Sequence, residues 1–229
     1  MATSGTTTFD LDIDDIIQEA YERCAARTNS GYDLKSARRS LNILFSEWGN
    51  RGVHLWKVEL KEQLLTNGTA TYTSPTNAND ILEAYISTTT GQSTTTNDVS
   101  LTKISRSEYA ALPNKGSIGQ PSQYYVDRQT TPTITLYQTP DAATYTYLKY
   151  YYLKRIEDAG AYTNTADVVF RFIPCMVAGL AYYLSMKYNP AMTQQNKLIY
   201  EDELSRALNE DGQRTSVYIT PQTYYPRGF

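Results

Sequence analysis

Thr144-Tyr145-Thr146-Tyr147-Leu148-Lys149-Tyr150-Tyr151-Tyr152 reads as a β-strand, and the sequence on either side of it decides the fold. Aromatic and β-branched residues suit the pleated, half-buried surface of a sheet. Tyrosine supplies 21 of the 229 residues and peaks in this run, while threonine fills much of the surrounding middle. On both sides, at about 12–51 and 172–211, the apolar period becomes helical. The chain therefore reads as α+β, with a helical bundle built from N- and C-terminal helix pairs and an inserted antiparallel β domain. The expected division is a flexible N-terminus at 1–11, a bundle from 12–53 and 165–212, a β domain at 54–164 and a C-terminal arm at 213–229.

Further strands are expected at 122–128, 132–138 and 143–153, with Pro140-Asp141 as a type I turn signature. Upstream, Leu55-Trp56-Lys57-Val58-Glu59-Leu60-Lys61 alternates, and Thr66-Asn67-Gly68-Thr69 supplies an Asn-Gly turn. Strand patterns follow at 81–87 and 98–104, and the Thr-rich stretch from Thr88 to Asn97 between them reads as a hairpin tip or exposed loop. Ser105-Arg106-Ser107-Glu108 has capping-box spacing, which predicts a short helix to Leu112 before Pro113.

The first helix is expected over about 12–26, with Ile13, Ile16, Ile17, Ala20, Tyr21 and Cys24 on its buried face. Asp12, Asp14 and Asp15 sit at its start, where the helix dipole favours negative charge. Asp33 is the expected N-cap of the second helix. Leu34, Ala37, Leu41, Leu44, Phe45 and Trp48 form its stripe, with Gly49 and Gly52 as stops. A third helix is expected to begin near 172–174, with Pro174 in its first turn. Ile173, Met176, Val177, Leu180, Tyr183 and Leu184 should face inward, and Ala178, Gly179 and Ala181 admit a close neighbour. Asn189-Pro190 breaks this helix. The last, at about 190–211, should bury Leu198, Ile199, Leu204, Ala207 and Leu208, and Gly212 closes it.

Composition and motifs exclude several function classes. A net charge of −3 supplies no basic field for nucleic acid. Lys149, Lys154 and Arg155 beside the tyrosines are a thin version of a single-strand-binding groove. The N-terminus lacks the basic and apolar regions of a signal peptide, and no window approaches the roughly 18 apolar residues of a membrane span. Cys24 and Cys175 fall on apolar helix stripes and read as buried reduced thiols. His54, the only histidine, would have to serve any Ser–His–Asp or Cys–His site, and a structural role is expected for it. No ligand spacing suggests a metal. Asp10-Leu11-Asp12-Ile13-Asp14 lacks the glycine and terminal glutamate of a calcium loop. No cofactor fingerprint occurs, and Glu157-Asp158 reads as surface acids. No catalysis is expected. The tyrosines are either cross-strand pairs or subunit contacts; Tyr124, Tyr125, Tyr137, Tyr145, Tyr147 and Tyr151 are the candidates for the second role.

Three runs carry a family resemblance. The first joins Pro113-Asn114-Lys115, Gly119-Gln120-Pro121-Ser122-Gln123-Tyr124-Tyr125-Val126-Asp127-Arg128, Pro132-Thr133-Ile134-Thr135-Leu136-Tyr137 and Pro140-Asp141. The second is Ala37-Arg38-Arg39-Ser40-Leu41-Asn42 through Glu47-Trp48 and Gly52. The third is Phe172-Ile173-Pro174 followed by Gly179-Leu180-Ala181-Tyr182-Tyr183-Leu184. In this order they resemble tailed-bacteriophage head-to-tail adaptors of the tail tubular protein A type, from short-tailed phages. The resemblance spans about 11–211.

It implies a structural virion protein at the head–tail junction, made in the host cytoplasm. The implied state is a ring of twelve subunits docked to the portal protein, with the tail nozzle protein on its other face. Genomic DNA passes through the lumen without sequence-specific binding, and no membrane or cofactor is involved. A mildly acidic subunit suits that lumen, because duplex DNA carries one charge per ~1.7 Å and would adhere to a basic wall. The tail, with Val217, Tyr218, Ile219, Tyr224, Tyr225 and Phe229, either folds back on the bundle or acts as an arm docking on the portal, and the arm is the preferred reading. The rival reading is a glycan- or host-binding β module of a virion tail. A cell-wall hydrolase is disfavoured by the missing constellation.

Overall fold

The computed structural model describes residues 4–6, 9–26, 31–51, 55–91 and 97–212. Helix α1 spans Ile13–Arg23 and α2 spans Gly31–Arg51. A 3-10 turn at Leu55–Lys57 leads into β1, Val58–Leu64. There follow β2 (Thr71–Thr73), β3 (Ala78–Ser87), β4 (Asp98–Ser100), β5 (Thr102–Ile104) and the short helix α3 (Arg106–Ala111). The pairs β6 (Ile118–Gly119), β7 (Gln123–Asp127), β8 (Thr133–Tyr137) and β9 (Thr139–Pro140) precede the tyrosine strand β10, Tyr147–Lys154. Helices α4 (Ile173–Tyr188) and α5 (Thr193–Asp211) end the described chain. The architecture is α+β, as the pattern of periods predicts.

The bundle has one core. Ile16, Ala20, Leu41, Leu44, Trp48, Val177, Leu180 and Leu204 all belong to a single buried cluster. Its formation follows from stripes that can only bury one another. Helix α4 runs through the middle, with Ala178, Gly179 and Ala181 all buried. A Cβ at Gly179 would lie 2.9 Å from the methyl carbons of Leu44 and from Cε2 of Tyr200. The missing side chain is what lets α2 and α5 close on α4 together. Asp12 caps α1 by accepting from the Asp15 N–H at 2.9 Å. Cys24 and Cys175 are buried and free. Burial pushes both thiols up, which keeps them protonated and unreactive.

Two four-stranded sheets, in the orders β1-β10-β3-β4 and β2-β8-β7-β5, pack on a second core. One face of the tyrosine strand, with Leu148, Tyr150 and Tyr152, supplies part of that core. Pairing is antiparallel except for two short parallel ladders, β5 with β7 and β6 with β9. The chain changes sheets at Leu101, which is buried and donates its N–H to the Ala84 carbonyl at 2.9 Å. This splits the run expected at 98–104 into β4 and β5. The Asn67-Gly68 turn forms, with Thr69 N–H on the Thr66 carbonyl, but β1 and β2 belong to different sheets. The turn is a corner between sheets and not a hairpin. The capping box at Ser105 and Glu108 forms on both sides.

Tyr150 is fully buried, with no partner for its hydroxyl among the described residues, and burial pushes that hydroxyl up to about 12. An unpaired buried hydroxyl costs roughly 1–3 kcal/mol. Tyr150→Phe is therefore expected to raise the melting temperature, read by thermal circular dichroism. A lowered melting temperature would mean that the hydroxyl has an unrecognised partner.

Several helix details differ from expectation. Helix α2 starts at Gly31, so Asp33 lies in its first turn and not at the cap. There its carboxylate accepts from the Tyr188 hydroxyl at 3.1 Å. Gly49 does not stop α2, which runs to Arg51. Glycine costs a helix only about 1 kcal/mol. Arg51 holds the last turn through both Glu201 carboxylate oxygens, at 2.6 and 2.9 Å, and through Glu47. In α4, Ile173 and Tyr183 are only half-buried. The last helix turns differently from its apolar pattern: Leu198 and Ile199 are exposed, and the inward residues are Asn196, Tyr200, Leu204, Ala207 and Asp211. The reason is polar. Tyr200 must meet Trp48, and the Asp211 carboxylate accepts the Leu55 N–H at 2.9 Å and pairs with Arg171. These bonds hold that face inward.

Candidate functional site

The tyrosine strand has a second face. Across β1 and β10, Leu60 opposes Tyr151, Glu62 opposes Lys149 and Leu64 opposes Tyr147. Across β10 and β3, Lys149 opposes Tyr85 and Tyr151 opposes Glu83. Because side chains alternate along a strand, these residues share the face turned away from the β core. Tyr85 and Tyr151 meet edge to face, with centroids 6.5 Å apart. The Tyr85 hydroxyl donates to Glu83 at 2.5 Å, and that bond is the main reason it is pushed up to about 12. Leu64, at the end of β1, is 60% exposed. A hollow of about 320 Å³ opens between Leu60, Tyr85, Asp98, Ser100, Lys149 and Tyr151.

Lys149 lies at the bottom of this face and is 2% exposed. A buried ammonium is costly unless paired and hydrogen-bonded. Its Nζ donates to the Gly91 carbonyl at 2.5 Å and to Asp98 Oδ1 at 3.3 Å, with Glu62 at 3.9 Å. Gly91 returns its N–H to Glu62 at 2.7 Å. It does so at φ +71, a conformation that favours glycine. The near end of the Thr-rich stretch is thus latched to the sheet, and residues 92–96 lie outside the described chain. The lysine is already occupied, which leaves Leu64 as the most exposed apolar side chain of this face.

The six tyrosines singled out as contacts fall in different places. Tyr147 and Tyr151 are half-buried on this outward face. Tyr145 packs against the β core. Tyr125 is stacked on Tyr109 of α3 at 5.4 Å and 16°, and the Tyr137 hydroxyl donates to the Pro113 carbonyl at 3.2 Å. Tyr124 is 1% exposed, and its hydroxyl donates to the Leu82 carbonyl at 3.2 Å. Its ring is therefore part of the β core. Val217, Tyr218, Ile219, Tyr224, Tyr225 and Phe229 lie outside the described residues, as does His54.

A polar cleft of about 390 Å³ separates α2 from the β sheets. Its cations are largely neutralised: Arg128 pairs with Asp80 at 3.3 Å, and Lys154 with Glu59 at 3.3 Å and Glu157 at 3.6 Å. Among the described residues no group of three or more His, Cys, Asp or Glu side chains is placed to hold a metal ion. Among the same residues no helix is long and apolar enough to cross a membrane. What the outward sheet face offers is aromatic and apolar contact.

Sequence reading missed two features of these surfaces. The Lys149 network was hidden because Glu62 and Asp98 become its neighbours only once the strand order is known. Hydropathy alone places Leu198 and Ile199 inward, whereas both are exposed.

The family model described as SU10 adaptor protein matches residues 3–224. No curated protein matches the chain. With nearly its whole length matched, the chain belongs to the SU10 adaptor protein family and is a bacteriophage head-to-tail adaptor, a structural component of the virion.

Proposed function

We propose that this adaptor acts as a closed ring that joins the portal protein to the tail nozzle protein and continues the DNA exit channel. The observation that carries this reading is the family match over residues 3–224. The outward sheet face, with half-buried tyrosines over a latched lysine, is a surface suited to holding another protein and not to a reaction. Tyrosine offers wide amphipathic contact at low entropic cost. Tyr147 and Tyr151 are the strongest contact candidates on that face, and the ring state is twelve subunits. In this reading 12–53 and 165–212 act as one bundle, 54–164 as the inserted β unit, and 213–229 as the portal-docking arm. A chain of net charge −3 lets the genome pass without adhering.

The test uses phage unable to make this chain. DNA-filled heads without tails are expected, and adding the purified protein back should restore tail attachment. Tailed, infectious particles lacking the chain would overturn the reading.

A further inference from the structure

The bundle carries two surfaces that no element of the described chain covers, and they are opposite in charge. The first is a groove of about 550 Å³ between α1 and the start of α4. Its floor is apolar, with Ile173, Pro174 and Val177, and Phe9 stands at its edge 64% exposed. Asp15, Glu19 and Glu22 line its α1 side. They recur at i, i+4 and i+7, so they form one row along the helix. Arg23, also at the rim, is tied back to Glu19 at 2.8 Å.

The second surface is the outward stripe of α2. Tyr32, Lys35, Arg39 and Ile43 are all exposed, Tyr32 at 70% and Ile43 at 49%. Their spacing of three, four and four residues puts them on one face, opposite the buried row of Ala37, Leu41, Leu44 and Trp48 and the half-buried Leu34. Among the described residues, neither Lys35 nor Arg39 forms an ion pair; those of α2 run through Arg51. Arg39 also adds to the burial that holds the Lys187 amine below the ordinary lysine range, which marks this flank as locally positive. No α2 residue lines the first groove.

We infer that the acid-rimmed α1–α4 groove of one copy receives the basic, apolar α2 stripe of the next copy. A ring needs a head-to-tail contact between two different, complementary surfaces on one chain, and these two meet that condition. An amphipathic helix lying in an apolar groove is a common recognition mode. Complementary charge sets the register and excludes wrong pairings. The inference rests on the ring reading above and names the contact that would build it.

Charge reversal tests it in the full-length chain. Asp15→Lys with Glu22→Lys makes the groove basic, and Lys35→Glu with Arg39→Glu makes the stripe acidic. All four residues are exposed, and circular dichroism melting of each variant confirms folding. Native mass measurement, with the chain alone and on portal-bearing heads, reads the ring. Each reversed pair alone should weaken assembly more than about tenfold. Mixing the two variants in equal amounts, or combining all four changes in one chain, should restore the ring. If either variant assembles like the parent, or neither combination restores assembly, the groove–stripe contact is wrong while the ring reading stands. A parent chain that forms no ring in either setting removes the ring reading and this contact with it.

Discussion

Trp48→Ala is expected to cost about 3–5 kcal/mol of stability and to lower the melting temperature by roughly 6–20 °C for a chain of this size. Trp48 is fully buried. Its ring lies 5.9 Å from that of Phe45 and 5.6 Å from that of Phe172. It thus joins α2 to the segment that enters α4. Its Nε1–H donates to the Tyr200 hydroxyl at 3.0 Å, and that hydroxyl donates to Glu47 at 3.1 Å. Alanine would leave a cavity where three elements meet and remove the donor to a buried hydroxyl. Trp48→Phe keeps most of the packing but still loses the donor, so it should cost about 1–2 kcal/mol. Chemical denaturation of both variants checks the pair. A loss below about 1 kcal/mol for the alanine variant would contradict the single-core account of the bundle.

Deleting residues 214–229 should abolish portal docking while leaving the helical circular dichroism signal and the melting temperature nearly unchanged. The segment carries Val217, Tyr218, Ile219, Tyr224, Tyr225 and Phe229, more apolar surface than a chain end usually leaves in water. Helix α5 already ends at Gly212, whose N–H bonds to the Leu208 carbonyl at 3.1 Å. The core residues of α5, Tyr200, Leu204 and Ala207, all precede that point. In the arm reading, a segment that orders on binding gives up part of its contact energy to chain entropy, and Pro221 and Pro226 would reduce that loss by stiffening it. Co-sedimentation with portal-bearing heads reads docking. A truncated chain that still docks would overturn the arm, and one that unfolds would show that the segment belongs to the bundle.

Much of this fold is legible without coordinates, for a physical reason. Ile13, Ile16, Ile17, Ala20, Tyr21 and Cys24 of α1 are all buried, because a helix with one apolar stripe has only one way to bury it. The Ser105–Glu108 box forms because its partners are three residues apart. What the pattern missed depends on distant partners. The inward face of α5 is chosen by Trp48 and Leu55, roughly 150 residues earlier in the chain. The strand at 98–104 breaks because two sheets compete for it at Leu101. Tyr124 and Tyr125 are neighbours in sequence, yet alternation puts one in the core and the other under Tyr109. Composition could not separate them. The acidic α1 row and the basic α2 stripe lay in plain sequence, but only packing around α4 shows that nothing in the described chain covers them.

The proposed assembly depends on this chain forming the ring between portal and nozzle. Image averaging of the head–tail junction in intact virions tests it most directly. The account predicts a closed ring of copies of this 25.9 kDa chain, held between portal and nozzle around a central channel, with α1–α4 grooves meeting neighbouring α2 stripes. A junction without this chain, or the chain placed at fibre tips or on the head surface, would contradict it.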